Sequence, residues 1–227
     1  MIQFQTLSIG ERCEALRQEV PESVRIIAVT KTVAVPAMRE AYQAGIRHFG
    51  ESRVQEAIAK QVEFEDCSDI QWHLIGHLQR NKARKAIQQF DWIHSVDSLK
   101  LAQALNQAAI DIAKSPYVCL QVKMLPDPNK FGWEPDALFN DLAVLDQCTH
   151  LNILGLMAIP PLGLSPDELL DYFQQVCNLF HRIRDMPLNH IAMRELSMGM
   201  SSDYGIAVKA GATMIRPGRV LFGKRMH

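Results

Sequence analysis

Residues 25–31 read Arg25-Ile26-Ile27-Ala28-Val29-Thr30-Lys31, a short apolar run that ends in a lysine. Alternation along a strand puts Ile27, Val29 and Lys31 on one face. Longer amphipathic stretches flank the run, at about 4–19 before it and at 35–44 after it. The pattern then repeats along the chain. Apolar runs at 46–49, 71–76, 92–96, 117–123, 152–159, 195–199 and 213–216 join 25–29 to make eight strands, with helical stretches such as 98–113 and 167–183 between them. Alternating strands and helices imply parallel βαβ units, and eight such units fill a (β/α)8 TIM barrel. The expected fold is therefore α/β, a single-domain barrel over 1–227 with an extra N-terminal helix. An open doubly wound sheet is the alternative, and the strand count favours closure.

Local signals agree. Ser98 follows the fourth strand as a helix cap. Ser165-Pro166-Asp167-Glu168 opens a helix with proline at its first position, and Gly211 stops the helix that runs through 204–210. No Pro/Gly/Ser-rich linker, repeat or low-complexity tract marks a domain boundary. The 227 residues are 48% hydrophobic and 22% charged, ordinary for a soluble domain, and barrels of this kind run to about 200–250 residues. A net charge of −1 gives no global field toward nucleic acid or an anionic membrane. The five cysteines form no CxxC pair and are odd in number, which suits free thiols in a reducing compartment. Glu11, Arg12 and Glu14 interrupt any apolar leader, and no run approaches the roughly 18 apolar residues of a membrane helix. The reading is a cytoplasmic protein without nucleic-acid or membrane partners.

Barrel sites sit at the C-terminal ends of the strands, with phosphate often held after the seventh and eighth. Here those loops read Ser197-Met198-Gly199-Met200-Ser201-Ser202-Asp203 and Arg216-Pro217-Gly218-Arg219-Val220-Leu221-Phe222-Gly223. Hydroxyls, free backbone N–H groups and a helix start make a phosphate cup, and Gly218 and Gly223 allow close backbone approach. The serines could also be plain helix caps. Asp203 suits the helix start but would repel a phosphate, so it is expected to face away. Lys31 at the mouth could snorkel to solvent or, desolvated, act as a nucleophile toward carbonyls. Arg216 shares a strand face with Met214, beside the first strand of a closed barrel. One molecule of pyridoxal 5′-phosphate (PLP) would use all three elements: its aldehyde on Lys31, its ring nitrogen at Arg216, its phosphate in the cup. An arginine can only donate, so the ring nitrogen would stay unprotonated. His73, with Ile75 on its strand face, reads as a satisfied core residue. The cations of 79–85 read as a solvated helix face, Lys130-Phe131-Gly132-Trp133 as a segment that could close over the mouth. His48 and His77 lack metal-ligand spacing, and no metal is expected.

The chain resembles the PLP homeostasis proteins, PLP-binding barrels like the N-terminal domain of alanine racemase. The resemblance is carried by Ala28-Val29-Thr30-Lys31-Thr32, by 48–56 (HFGESRVQE), by 72–82 (WHLIGHLQRNK), by Gly155-Leu156-Met157, by 196–201 (LSMGMS), by Ile215-Arg216-Pro217-Gly218 and by Phe222-Gly223. It implies an imine at Lys31 (an internal aldimine), phosphate contacts from Ser201, Ser202 and the turn between Gly218 and Gly223, and Arg216 near the ring nitrogen. Ser52, Met157, Ser197 and Gly199 complete the expected cofactor-binding set. The family usually carries asparagine where this chain has the shorter Ser52. The implied function is a PLP binder in PLP homeostasis and amino-acid and keto-acid balance, without strong catalysis. It is expected to be a monomer that can hand PLP to apo-enzymes.

Two alternatives stay open. One is a PLP-dependent amino-acid racemase with an acid/base missing or replaced by His73. Similar racemases add a second, mostly β domain that supplies a tyrosine, whereas this sequence stops at His227, and of Tyr42, Tyr117, Tyr172 and Tyr204 only Tyr204 lies near the cup. The other is an aldolase-like Schiff-base enzyme whose cup holds a sugar phosphate.

Overall fold

The first apolar run decides how the sheet closes. In the computed structural model, which describes residues 7–127 and 130–223, this run carries two short strands, β1 (Arg25–Ile26) and β2 (Ala28–Val29). β1 pairs in parallel with β9 (Met214–Arg216), and β2 pairs in parallel with β3 (His48–Glu51). The segment is continuous between them, since Ile27 N donates to Ile215 O and Val29 N to Pro217 O. One extended segment thus bridges the two ends of the sheet. The remaining strands follow in chain order: β4 (Gln71–Leu74), β5 (Trp92–Val96), β6 (Tyr117–Val122), β7 (Asn152–Ala158) and β8 (Glu195–Met200). All neighbours are parallel and the 25–29 segment joins β9 to β3, so the sheet is a barrel and the open-sheet alternative falls away.

Helices α1 (Ile9–Glu19), α2 (Val35–Gln43), α3 (Val54–Val62), α4 (Ala83–Gln89), α5 (Leu99–Ile112), α6 (Pro135–Leu145), α7 (Pro166–Arg184), α8 (Tyr204–Lys209) and α9 (Arg219–Phe222) alternate with the strands. The expected N-terminal helix begins at Ile9, where Ser8 and Glu11 form a reciprocal capping box. Of its expected start, residues 4–6 lie outside the described residues. Ser165 and Glu168 cap α7 in the same way, with Pro166 in its first turn. Gly211, at φ +104°, follows α8 in the left-handed region. The basic stretch at 79–85 is mostly exposed and runs from a 3-10 turn at Arg80–Lys82 into α4.

Alternation along each strand builds two cores. Outward residues such as Phe49, Trp72, Leu74 and Ile93 join the helices in the large one. Inward Ile27, Trp92, Cys119, Met157 and Met214 form a separate cluster inside the barrel. The inside is not wholly apolar. His73, His94, Ser197 and Arg216 are also buried there, on the same inward faces.

Candidate functional site

A cavity of about 940 Å³ opens at the C-terminal ends of the strands. Among the described residues, its charged lining side chains are Lys31, Arg53, Lys130, Arg216 and Arg219, and no carboxylate lines it. A mouth with cations alone is a site for an anion.

Lys31 follows β2 on a tight turn, closed by Val33 N donating to Thr30 O. Thr32 sits at φ 62°, unusual for a β-branched residue, so neighbours must hold it there. Its N–H donates to Glu56 Oε1 at 2.5 Å. Behind the turn, Lys60 Nζ donates to Thr30 O at 2.6 Å and to Glu51 Oε1 and Glu56 Oε1 at 2.7 Å each. Thr30 Oγ1 also donates to Glu51 Oε1, at 2.6 Å. Burial pushes the Glu51 carboxyl above its ordinary range, against the pull of Lys60 and Thr30.

On β9, the strand that pairs with this segment, Arg216 is 3% exposed. Its Nη1 donates to Ser197 Oγ at 2.6 Å and its Nη2 to Ala158 O at 3.0 Å. Burial lowers this guanidinium to about 10, opposed by Asp203, Cys119 and Tyr172; it is still charged at neutral pH. Ser201 joins the two cup loops, because its Oγ accepts from Gly218 N at 3.0 Å and Val220 N at 3.3 Å. Asp203 Oδ1 accepts from Met200 N, and the carboxylate does not line the cavity. A Cβ at Gly76 would fall 2.3 Å from Ser52 O, so glycine is required where β4 runs out against the Ser52 backbone.

Of the ten residues expected at the cofactor, Lys31, Ser52, Ser201, Ser202, Arg216 and Gly218 line the cavity. The other four stand behind or beside it. Met157 is in the inner core. Ser197 is fully buried behind Arg216. Gly199, at φ +92°, packs on α8, where a Cβ would meet Ala207 Cβ at 2.7 Å. Gly223, at φ +80°, ends α9. Lys130 and Phe131 do reach over the mouth: Lys130 Nζ donates to Ile159 O, and Phe131 stacks on His77 with ring centroids 3.6 Å apart. Gln121, which sequence reading passed over, also lines the cavity, as do Arg53 and Arg219, which lie within the 48–56 motif and the Gly218–Gly223 turn but had no role of their own. Arg53 stands two residues after β3 and Arg219 directly after Gly218, so position beyond a strand end was the available signal.

His73 does not line the cavity. It is wholly buried, with His48 on one ring nitrogen and His94 on the other. Nor does any tyrosine among the described residues line it. Tyr204 OH donates to Glu19, Tyr42 OH to Asp69 and Tyr172 OH to Ile159 O. Among the described residues, no helix is long and apolar enough to cross a membrane.

The model of the family described as alanine racemase, N-terminal domain matches residues 6–226. A pyridoxal phosphate homeostasis protein of Synechocystis sp. is 49% identical over 207 residues, 91% of this chain and 94% of that protein. One from Pseudomonas aeruginosa is 39% identical over 218 residues, 96% of this chain and 91% of its own. The solved structure of PipY from Synechococcus elongatus, with PLP bound, superposes with a TM-score of 0.91 at 51% identity, over 95% of this chain and all of that one. An alanine racemase from Clostridium difficile superposes with a TM-score of 0.75 at 16% identity, over 97% of this chain but 57% of that longer one, a likeness of fold. With a family model matched along almost its whole length and close relatives that share one name, this chain belongs to the pyridoxal phosphate homeostasis proteins, built on the alanine racemase N-terminal-domain barrel.

Proposed function

We propose that this chain is one domain that binds PLP in the mouth cavity and serves PLP homeostasis as a carrier or regulator. One observation carries the reading: among the described residues every charged side chain lining the cavity is a cation, with Lys31 and Arg216 at the ends of neighbouring strands. The donor set fits the group. PLP brings a dianionic phosphate, an aldehyde and a pyridine nitrogen. The cavity offers Ser201, Ser202 and the Gly218 loop for the first, the Lys31 amine for the second and an obligate donor for the third. When bound, PLP supplies an aldehyde that condenses with an amine and a ring that draws electrons from it. Lys31 is the attachment point. Arg216, anchored on Ser197 and Ala158 O, gives the ring nitrogen a hydrogen bond and no proton-accepting partner, which weakens electron withdrawal. That favours holding over turnover. No tyrosine among the described residues lines the cavity, so the racemase reading has no observation of its own. The relatives' shared name and the PLP bound to PipY support the proposal.

The free cysteines, four of them buried, support action in a reducing compartment such as the cytoplasm. Transfer to apo-enzymes needs an open mouth on a monomer, and both belong to this proposal.

The test is direct. The purified chain should be yellow with PLP, and borohydride should fix pyridoxyl to Lys31. Lys31→Ala should fold, because the side chain fills no core volume, and lose both colour and label. A label mapped to another lysine, or fast amino-acid turnover by the wild type, would overturn the carrier reading.

A further inference from the structure

Three imidazoles cross the inside of the barrel in a line. His48 Nδ1 lies 3.0 Å from His73 Nε2, His73 Nδ1 lies 2.9 Å from His94 Nε2, and His94 Nδ1 lies 2.8 Å from Ser197 Oγ. Ser197 Oγ in turn accepts from Arg216 Nη1 at 2.6 Å. Each step between imidazoles climbs one inward position. His73 is level with Gly50, two residues above His48, and Trp92 is level with His73, two residues below His94. Arg216 stands two residues above Met214, the partner of Ser197. The line therefore rises from the floor of the barrel to its mouth. At the floor, His48 lines a second cavity of about 680 Å³, together with Arg17, Arg25 and Arg47.

We infer that Ser197, His94, His73 and His48 are positioning residues, a one-way hydrogen-bond relay that holds the Arg216 guanidinium toward the mouth and ties its state to the opposite end of the barrel.

Proton counting gives the direction. Each contact needs one hydrogen, and each neutral imidazole carries one. The line must therefore run wholly one way or wholly the other. Arg216 can only donate, so the Ser197 oxygen is an acceptor from the mouth side. If the hydroxyl then donates to His94 Nδ1, His94 Nε2–H donates to His73 and His73 Nε2–H to His48. The spare hydrogen emerges on His48 Nε2. The reverse order would make Ser197 accept twice and leave its hydroxyl hydrogen without an acceptor in a fully buried position, a costly orphan. The cation at Arg216 favours the first order too, because the electronegative end of every bond then faces it.

The surroundings keep the imidazoles neutral. Burial holds His73 and His94 well below the usual range, reinforced at His73 by His94, His48 and Arg25 and at His94 by Arg216, Arg25 and His48. Burial and then Arg25 bring His48 to about 4. Glu22 also lines the floor cavity, and Glu195 is held by Arg25 at 3.2 Å. The purpose of the relay rests on the PLP reading; its existence does not.

The experiment uses the full chain labelled with 15N-histidine, read by imidazole NMR between pH 6 and 8. Without PLP, His48, His73 and His94 should each be neutral with the proton on Nε2. A proton on Nδ1 of any of them, or a protonated ring at pH 6, would overturn the relay. Ser197→Ala should split His94 between its two tautomers, and Ser197→Thr should restore the single form. Unchanged order in Ser197→Ala would mean that Arg216 does not set the direction. Adding PLP should shift the His48 Nε2 signal although the ligand sits at the other mouth, and a static signal in yellow, labelled protein would overturn the coupling. If PLP fails to bind at all, the functional reading falls, while the ligand-free tautomers still decide the relay.

Discussion

Two buried polar assemblies brace two neighbouring walls of the mouth, the Lys31 turn after β2 and the Arg216 end of β9, and they work by different physics. Beneath Lys31, an ammonium and two carboxylates meet within 2.7 Å around Lys60. Beneath Arg216, the supports are a hydroxyl, a carbonyl and a file of neutral imidazoles. The first holds a turn by charge, so its strength depends on every partner being present. The second holds a cation by directed hydrogen bonds, each of modest strength but fixed in sense. Movement at one wall should thus be abrupt when a charge is removed, and gradual at the other as single hydrogen bonds are lost.

The largest expected effect follows from the charged side. Lys60→Met leaves Glu51 buried with no cation and takes the donor from Thr30 O behind the turn. Stranding one member of a buried pair costs about 3–5 kcal/mol, to be read as a lower midpoint in urea unfolding. A loss below about 1 kcal/mol would show the pair to behave like an exposed one, and the contrast between the walls would disappear.

The neutral side should answer with less. Ser197→Ala removes one hydrogen bond to a charged group, worth about 1.5–3 kcal/mol. Stability should fall by that order, and PLP should be held more weakly with Lys31 still the attachment point. Loss of pyridoxyl label at Lys31 in this variant would mean that the two walls are one unit.

Replacing both cup serines sharpens the comparison on the ligand. Ser202 lines the cavity, and Ser201 both lines it and ties Gly218 to β8. The double alanine variant should weaken PLP more than pyridoxal, since only the phosphate loses its hydroxyl donors. Equal losses for the two ligands would make the serines mere loop ties.

How much of this could be read from the sequence differs between the walls. Lys31, Arg216, Ser201, Ser202 and Gly218 were legible because strand parity and the barrel rule both act along one chain segment. The alternation that placed Ile27 inside placed Lys31 at the mouth. What sequence reading missed depends on register between strands. His73 read as a lone histidine, yet His48 and His94 share its inward face on neighbouring strands, offset by the climb of the barrel. Period-two counting from each strand start could have found the shared face but not the offset. The Glu56–Lys60 spacing of four on α3 was visible, but its burial against Glu51 arises only when α3 packs on the barrel. Met157, Gly199 and Gly223 lie near the site in sequence, but the first points into the core, the second backs onto α8 and the third closes α9.

The smallest effect separates the walls by the sign of their response to acid. His48 has its ordinary value of 6.5 brought to about 4 in the fold. Between those values the unfolded chain takes up a proton that the folded chain refuses. Its contribution to stability is therefore full above 6.5 and is lost as pH falls toward 4. Glu51 runs the other way. Its folded value lies above the ordinary 4.5, so its contribution is full below 4.5 and is lost as pH rises through the folded value. Acidification from 6.5 should therefore weaken the imidazole side while it relieves the carboxylate side. His48→Gln should flatten the acid limb of a stability–pH curve, and Glu51→Gln should steepen it. The slope change per group stays below about 1.36 kcal/mol per pH unit, the value of one whole proton, and further below it for His48, which reaches solvent at the floor cavity. Unfolding midpoints taken from pH 7 to 4 on the two variants and the wild type are enough to see it. Parallel curves for all three would show that neither group titrates differently in the fold, and the chemical distinction between the walls would be lost.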